Sequence, residues 1–380
     1  MSSFDFEKLV DRRGSSSTKW EKFGADVLPM WVADMDFAAP DFILDKIQER
    51  LAHPILGYTD RPDSLNEAFL LWLQKHFGWS IDEEWLVWLP GVVPGLNLGC
   101  RVLEPSRNGL LIPTPVYHPF LDLGINAGSP EVRVPMAKEA ASNGRWEMDF
   151  ERMNEALQSN VGALLMCNPQ NPTGRAYTPA ELNELADFVL HNDLLLVSDE
   201  IHCNIILDDT SSHTPIVQLR PDIADRTISL FAATKTYNIP GVSCAVAVIP
   251  NEEIRERFKE VRAGLVPGIG PLGFVASEAA FRDTSTWIPE LIEHLRGNIE
   301  LIRARLGPRV QHLEATYLAW LDVSDLNLVD AEAHFATHGL GINPGEMFDG
   351  PGFVRLNFGC PRATLEEGLA RFETAVKAVN

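Results

Sequence analysis

Short apolar runs alternate with amphipathic stretches along most of the chain. The runs at Leu86–Leu89, 109–112, Val161–Cys167, 194–197, Thr227–Phe231 and 242–249 are apolar almost throughout, the mark of strands covered on both faces of a parallel sheet. Ahead of them, 41–51 places Phe42, Ile43, Ile47 and Leu51 at helical spacing, and 66–77 does the same with Phe69, Leu70, Leu73 and Phe77. After Thr178 the start of a helix is spelled out: Thr178 as N-cap, Pro179 at the first helical position and Glu181 completing a capping box. Its buried face is Leu182, Leu185, Ala186, Val189 and Leu190. This alternation predicts an α/β fold, a three-layer α/β/α arrangement around a mostly parallel sheet.

Past residue 249 the rhythm changes. Helices are predicted over 251–263 and 288–306, with Pro267-Gly-Ile-Gly-Pro271 as a break between them. A strand over 316–323, a helix over 331–338, a strand over 352–358 and a helix over 364–379 follow, the last opened by Thr364 and Glu367 as a second capping box. The predicted organisation is an N-terminal arm that is also part of a small domain (1–40), a large domain (41–284) and a small α+β domain (285–380). Residues 1–30 read as a polar, flexible or extended arm. Residues 30–37 read as an edge strand with Asp34 and Asp36 in solvent.

Composition narrows the partners. With 32 Lys and Arg against 53 Asp and Glu, the formal charge is -21, so phosphate backbones and anionic lipid repel the chain. No nucleic acid or membrane partner is expected. Cys100, Cys167, Cys203, Cys244 and Cys360 show no CxxC spacing and read as reduced core thiols, without a metal site. The first residues contain no apolar signal core and no run is long enough to span a bilayer; the expectation is a cytoplasmic protein.

The candidate chemistry lies where strands end. In doubly wound sheets ligands bind beyond the carboxyl ends of the strands. Asn171, Asp199 and Lys235 each stand just past such an end. A lysine leaving apolar surroundings can be partly neutral and nucleophilic, as Schiff-base chemistry with an aldehyde cofactor requires. Pro90-Gly-Val-Val-Pro-Gly95 turns from strand into helix, a geometry that offers N–H groups to an anion. Tyr117 rides on the proline-rich loop 113–119. Each residue also has a plain structural reading: a solvated lysine, a core ion-pair aspartate, a turn asparagine, a packed loop tyrosine.

Four motifs in order then resemble a known family. Asn168-Pro-Gln-Asn-Pro-Thr-Gly174, Ser198-Asp-Glu-Ile-His202, Thr234-Lys-Thr-Tyr-Asn238 and Phe353-Val-Arg-Leu-Asn357 resemble the fold-type I pyridoxal phosphate enzymes of the class I/II aminotransferase family. Trp31-Val-Ala-Asp-Met-Asp-Phe37, Thr316-Tyr-Leu-Ala-Trp-Leu-Asp322 and Cys360-Pro-Arg362 are similar to its cystathionine β-lyase (C–S lyase) branch, the MalY/PatB group. The resemblance implies that Lys235 holds pyridoxal phosphate through a Schiff base and moves the substrate α-proton. It implies that Asp199 pairs with the pyridine nitrogen, Asn171 donates to the phenolate oxygen, Tyr117 stacks on the ring and His202 and Thr234 lie beside the cofactor. Gly91, Val92 and Val93 would offer backbone N–H groups to the phosphate, and Tyr58 would reach the phosphate of the neighbouring subunit in a homodimer. Arg355 would clamp the α-carboxylate, and Trp31 and Asp34 would line the substrate pocket.

There are departures. His202 and Asn204 stand where the wider family often has Tyr and the branch Asp, Thr234 replaces a Ser, and Ile239-Pro-Gly-Val-Ser243 lacks the phosphate-binding Arg of many aminotransferases. The implied activity is α,β-elimination from L-cystathionine or related cysteine S-conjugates to a thiol, pyruvate and ammonia. The alternatives are transamination between an L-amino acid and a 2-oxo acid, or a non-enzymatic protein that keeps the fold.

Overall fold

The central sheet of the computed structural model, which describes residues 4–139 and 144–379, has seven strands. They are β1 (Leu86–Leu89), β2 (Gly109–Thr114), β3 (Glu131–Pro135), β4 (Val161–Cys167), β5 (Leu195–Asp199), β6 (Thr227–Phe231) and β7 (Ala245–Val248). Their spatial order is β1-β7-β6-β5-β4-β2-β3. All pairings are parallel except those of β7, which runs antiparallel to both neighbours.

Successive side chains on the central strands enter different cores. On β5, Leu196 joins one core while Leu195 and Val197 join the other; on β7, Val246 and Val248 face one way and Ala245 and Ala247 the other. The first core is closed by α1 (Asp41–Leu51), α2 (Asp63–Phe77), α4 (Pro179–His191) and α6 (Pro271–Phe281), through residues such as Ile43, Phe69, Trp72, Leu182, Val189 and Phe281. The second is closed by α3 (Val92–Arg101) and α5 (Glu252–Arg262), through Val92, Leu96, Cys100 and Phe258. The three-layer α/β/α expectation is thus met, and the period-2 geometry of strands explains why continuous apolar runs were needed.

Helix α3 lies close on the sheet. A Cβ on Gly95 would sit 2.7 Å from Leu230 Cδ2 and 3.0 Å from Leu89 Cδ1. Gly95→Ala is therefore expected to lose about 1–3 kcal/mol of stability in denaturant unfolding, the scale of overpacking a dense core. Gly24→Ala, where an added Cβ meets nothing within 4 Å, is the control.

A second sheet, β8 (Leu318–Asp322), β9 (Asn343–Pro344) and β10 (Phe353–Asn357), is antiparallel with β10 in the middle. Helices α7 (Trp287–Leu306), α8 (Ala331–Thr337) and α9 (Arg362–Lys377) share its core. On β10, Arg355 faces Trp320 on one side and Asn343 on the other.

Several local expectations are corrected. Residues 30–37 are not an edge strand: only Leu28–Pro29 pairs, with Leu340–Gly341, and the rest is irregular. Asp36 is buried instead of solvated. Pro271 begins a helix instead of only breaking one, because proline loses nothing at the first helical position. Helix α9 starts at Arg362 after Pro361 with no side-chain cap, so Thr364 and Glu367 lie inside it. Strand β3 and helix α6 were missed, β3 because it is a half-exposed edge with charged positions. Residues 1–3 and 380 of the predicted terminal segments lie outside the described residues. Among the described residues no helix is long and apolar enough to cross a membrane.

Candidate active site

A cleft of about 180 Å³ opens at the carboxyl ends of β4, β5 and β6. Asn171, Asp199, His202, Thr234 and Lys235 line it together with Tyr117 and Gly91, Val92 and Val93. Nine of the residues singled out from sequence thus meet in one place. Ser243, Cys167, Cys244 and Ala33 also line it.

Lys235 follows β6 in a turn braced by Tyr237 N–H to Ala233 O (3.1 Å) and Ile239 N–H to Thr234 O (3.0 Å). Its amine donates to the Ala33 carbonyl at 2.6 Å. Burial pulls its pKa down to about 8; Arg355 adds to the effect, while Asp34 and Asp199 oppose it. The amine is thus far closer to neutrality at physiological pH than a solvated lysine.

Asp199 ends β5. Its Oδ1 accepts the N–H of Ile201 at 3.0 Å, and it forms no ion pair among the described residues. Burial pushes its pKa up to about 7, against the pull of the Ile201 N–H and Lys235. A buried carboxylate of this kind calls for a cationic or protonated partner. His202 is buried in the same cleft, its Nδ1 without a hydrogen-bond partner among the described residues. Burial, with Lys235 and Arg355, holds the His202 ring well below its ordinary pKa, so it is neutral.

The loop after β4 braces itself around Asn171. Gln170 Oε1 accepts from Thr173 N–H and Oγ1 at 2.9 and 2.6 Å, and Gln170 Nε2 reaches the Pro115 carbonyl at 2.6 Å. Gly174, at φ +74°, closes the turn, and a Cβ there would meet Leu313 at 2.7 Å. Asn171 Oδ1 accepts from Arg355 Nη1 at 2.8 Å, which leaves the amide NH₂ as its free end. Arg355 also donates from Nη2 to the Trp31 carbonyl (2.9 Å) and Asn343 Oδ1 (2.8 Å), lies over the Phe348 ring at 4.6 Å, and keeps Nε unpartnered. Burial lowers its pKa to about 10, which leaves it cationic.

Gly91 caps α3, so the N–H groups of Val92 and Val93 belong to the unpaired first turn. Trp31 and Asp34 are placed differently from the expectation. The Trp31 indole donates to the Lys19 carbonyl (3.0 Å) and Asp34 pairs with Arg12 (2.6 Å), so both side chains bond to the N-terminal arm, although the Asp34 charge also acts on Lys235. It is backbone from this loop, the carbonyls of Trp31 and Ala33, that meets Arg355 and Lys235. Tyr58 is fully exposed and absent from the cleft of its own chain.

Tyr317 went unnoticed as a site residue. Its hydroxyl donates to the same Ala33 carbonyl at 3.0 Å, and its ring lies 5.8 Å from His202. The only signal was its place in a quoted motif.

The family model described as Aminotransferase class I and II matches residues 25–372. The chain is 34% identical to a Bacillus subtilis protein named cystathionine beta-lyase PatB, over 98% of this chain and 100% of that one. Among solved structures it is similar to OvoB at a TM-score of 0.94 and 38% identity, covering 99% of this chain and 100% of that one. Cystalysin from Treponema denticola, in a structure containing a pyridoxal 5'-phosphate cofactor, is similar at a TM-score of 0.92 and 29% identity, with 99% and 100% covered.

Proposed function

The chain belongs to the aminotransferase class I and II family, and from that membership we propose that it is a pyridoxal phosphate-dependent C–S β-lyase. Its substrate class is L-cystathionine and related cysteine S-conjugates, and its products are a thiol, pyruvate and ammonia, with one water consumed. The observation that carries this reading is the Lys235 amine, drawn toward neutrality inside a cleft shared with Asp199 and Asn171, with the buried Arg355 donating to Asn171 at 2.8 Å from behind the cleft lining. The likeness to a named cystathionine β-lyase over the whole length supports it.

The residues present fit pyridoxal phosphate. Among the described residues, Asp199 is a buried carboxylate with no paired cation, Val92 and Val93 hold first-turn N–H groups, and His202 Nδ1 and the Arg355 Nε–H are buried polar groups without partners. When bound, pyridoxal phosphate supplies an aldehyde that engages amines and a ring that spreads the electron pair left at the substrate Cα. Lys235 would hold the cofactor covalently, and its amine is the group placed to take the proton from the substrate Cα as general base. Asp199 would keep the pyridine nitrogen protonated, and the free NH₂ of Asn171 would donate to the phenolate oxygen. Gly91, Val92, Val93, Thr234 and Ser243, which line the same cleft, would hold the phosphate. Tyr117 would pack against the ring, with the neutral His202 nearby in the cleft.

Arg355, fixed by three acceptors before any substrate arrives, would bind the α-carboxylate through its remaining donors, the unpartnered Nε–H among them. Breaking the bond to the β-sulfur is the step that the lyase assignment adds to proton removal.

The same reading includes a homodimer. Tyr58 stands fully exposed beside Leu51, Ile55 and Leu56, an apolar stretch that a second copy would cover while receiving Tyr58 at its phosphate. It also includes the division into an arm (1–40), a large domain (41–284) and a small domain (285–380), the cleft lying at the strand ends of the second with Arg355 supplied by the third. The test is to mix purified holoenzyme with L-cystathionine and follow thiol and pyruvate. Equal release is expected. Keto acid without thiol would make the protein a transaminase.

A further inference from the structure

A cluster of buried charges lies outside the chemistry described above. Lys19, 1% exposed, pairs with Asp36 at 2.7 Å, and Asp36 is 6% exposed. Arg12 spans both aspartates, 2.6 Å to Asp34 and 2.7 Å to Asp36, and Trp20 Nε1 adds a bond to Asp36 at 2.8 Å. The Lys19–Asp36 pair, so far inside a protein, is costly to desolvate, and with the partly exposed Arg12 and Asp34 beside it is a poor device for stability alone. What they hold is the irregular segment 31–37.

That segment has two sides. Its carbonyls at Trp31 and Ala33 face the site, where they accept from Arg355 and Lys235. Its other backbone groups are tied down. The Val32 and Asp34 carbonyls accept from Asn357 Nδ2, both at 2.6 Å, and Lys19 Nζ also reaches the Asp34 carbonyl at 3.1 Å. Met35 exchanges bonds of 2.8 Å with Asn238, three residues after Lys235, and its carbonyl accepts from Arg12 at 3.2 Å. Among the described residues no strand pairing holds 31–37; besides the Asp36 N–H to Gly359 O bond (2.8 Å) and Tyr317 on the Ala33 carbonyl, the arm's cations and the two asparagines set where the site-facing carbonyls stand.

We propose that Arg12 and Lys19 are positioning residues for the reaction: through Asp34 and Asp36 they fix segment 31–37, whose Trp31 and Ala33 carbonyls aim Arg355 and Lys235. The proposal rests on the roles given above to Arg355 and Lys235. The arm is then a working part of the site and not a tether. Arg12, one-fifth exposed on its side chain, is the better handle, because its loss leaves the Lys19–Asp36 pair to hold the fold.

The experiment compares wild-type, Arg12→Ala and Arg12→Lys full-length enzyme. For Arg12→Ala, kcat is expected to fall roughly 10- to 100-fold and KM to rise, as misplacement of reacting groups by about an ångström does, with the cooperative thermal transition retained. Arg12→Lys, which restores a cation but not the fork that spans both aspartates, should recover part of the loss. A second readout needs no substrate: the rate at which pyridoxal phosphate added to the cofactor-free chain develops its visible absorption should fall in parallel. If that rate drops while wild-type enzyme releases no thiol, the positioning role stands and the lyase reading fails. Unchanged kcat, KM and absorption rate in folded Arg12→Ala would overturn the proposal, as would losses that follow melting temperature alone and are not recovered by lysine.

Discussion

Replacing Lys235 by alanine is expected to lower the rate of thiol and pyruvate release at least about 10³-fold, the scale of a lost general base. That corresponds to roughly 4 kcal/mol of transition-state stabilisation. No neighbour can take over. Tyr317 is fully buried with its hydroxyl committed to Ala33 and its pKa raised by burial. Tyr117 is likewise raised by burial, and His202 keeps a pKa well below the ordinary range, a base too weak to compete. The variant should still fold, because alanine removes a buried cationic amine that is costly to desolvate and whose one hydrogen bond, to Ala33, is also served by Tyr317. The measurement is thiol and pyruvate release at saturating L-cystathionine, with circular dichroism as the folding check. Activity within tenfold of wild type would remove Lys235 from the mechanism.

Asp199→Asn is the second large effect, and it should act in opposite directions on rate and stability. Asparagine can still accept the Ile201 N–H, but it carries no charge to keep a ring nitrogen protonated. Losing an electrostatic group aimed at charge that develops in the transition state costs about 10²- to 10³-fold in kcat, with KM little changed.

Stability follows from the raised pKa. Asp199 titrates near 7 in the folded, cofactor-free chain and at 3.8 ordinarily. Between those values the native state binds more protons than the unfolded one, so the contribution of this group to stability falls as pH rises and is fully unfavourable above about 7. Asp199→Asn lacks that term. The melting temperature of cofactor-free Asp199→Asn, relative to wild type, should therefore climb from pH 4 to 7 and level off above. A difference that is flat across this range would mean that the Asp199 carboxylate is not desolvated as described. The same group that destabilises the empty fold would thus serve the loaded one, a common exchange at active sites.

Much of this architecture was legible without coordinates. Strands buried on both faces must be apolar throughout, so Val161–Cys167 and Thr227–Phe231 announced themselves, and Thr178, Pro179 and Glu181 carry a helix start that depends only on local hydrogen bonds. Strand β3 was not legible, since a half-exposed edge has no reason to be apolar. Helix α6 was hidden because proline signals both a break and a first turn.

The site divides in the same way. By itself the sequence determined that Asn171, Asp199 and Lys235 stand at strand ends, because a polar group terminating an apolar run is a local fact, and the rim of a parallel sheet then gathers them. Only the tertiary structure decided what surrounds them. That Asn171 presents its NH₂ follows from Arg355, 184 residues away; that Trp31 and Ala33 act through carbonyls follows from Lys19 and Arg12 holding the aspartates from behind. Burial, and with it the shifted pKa values of Lys235 and Asp199, is a property of everything packed around a group, and no local pattern records it.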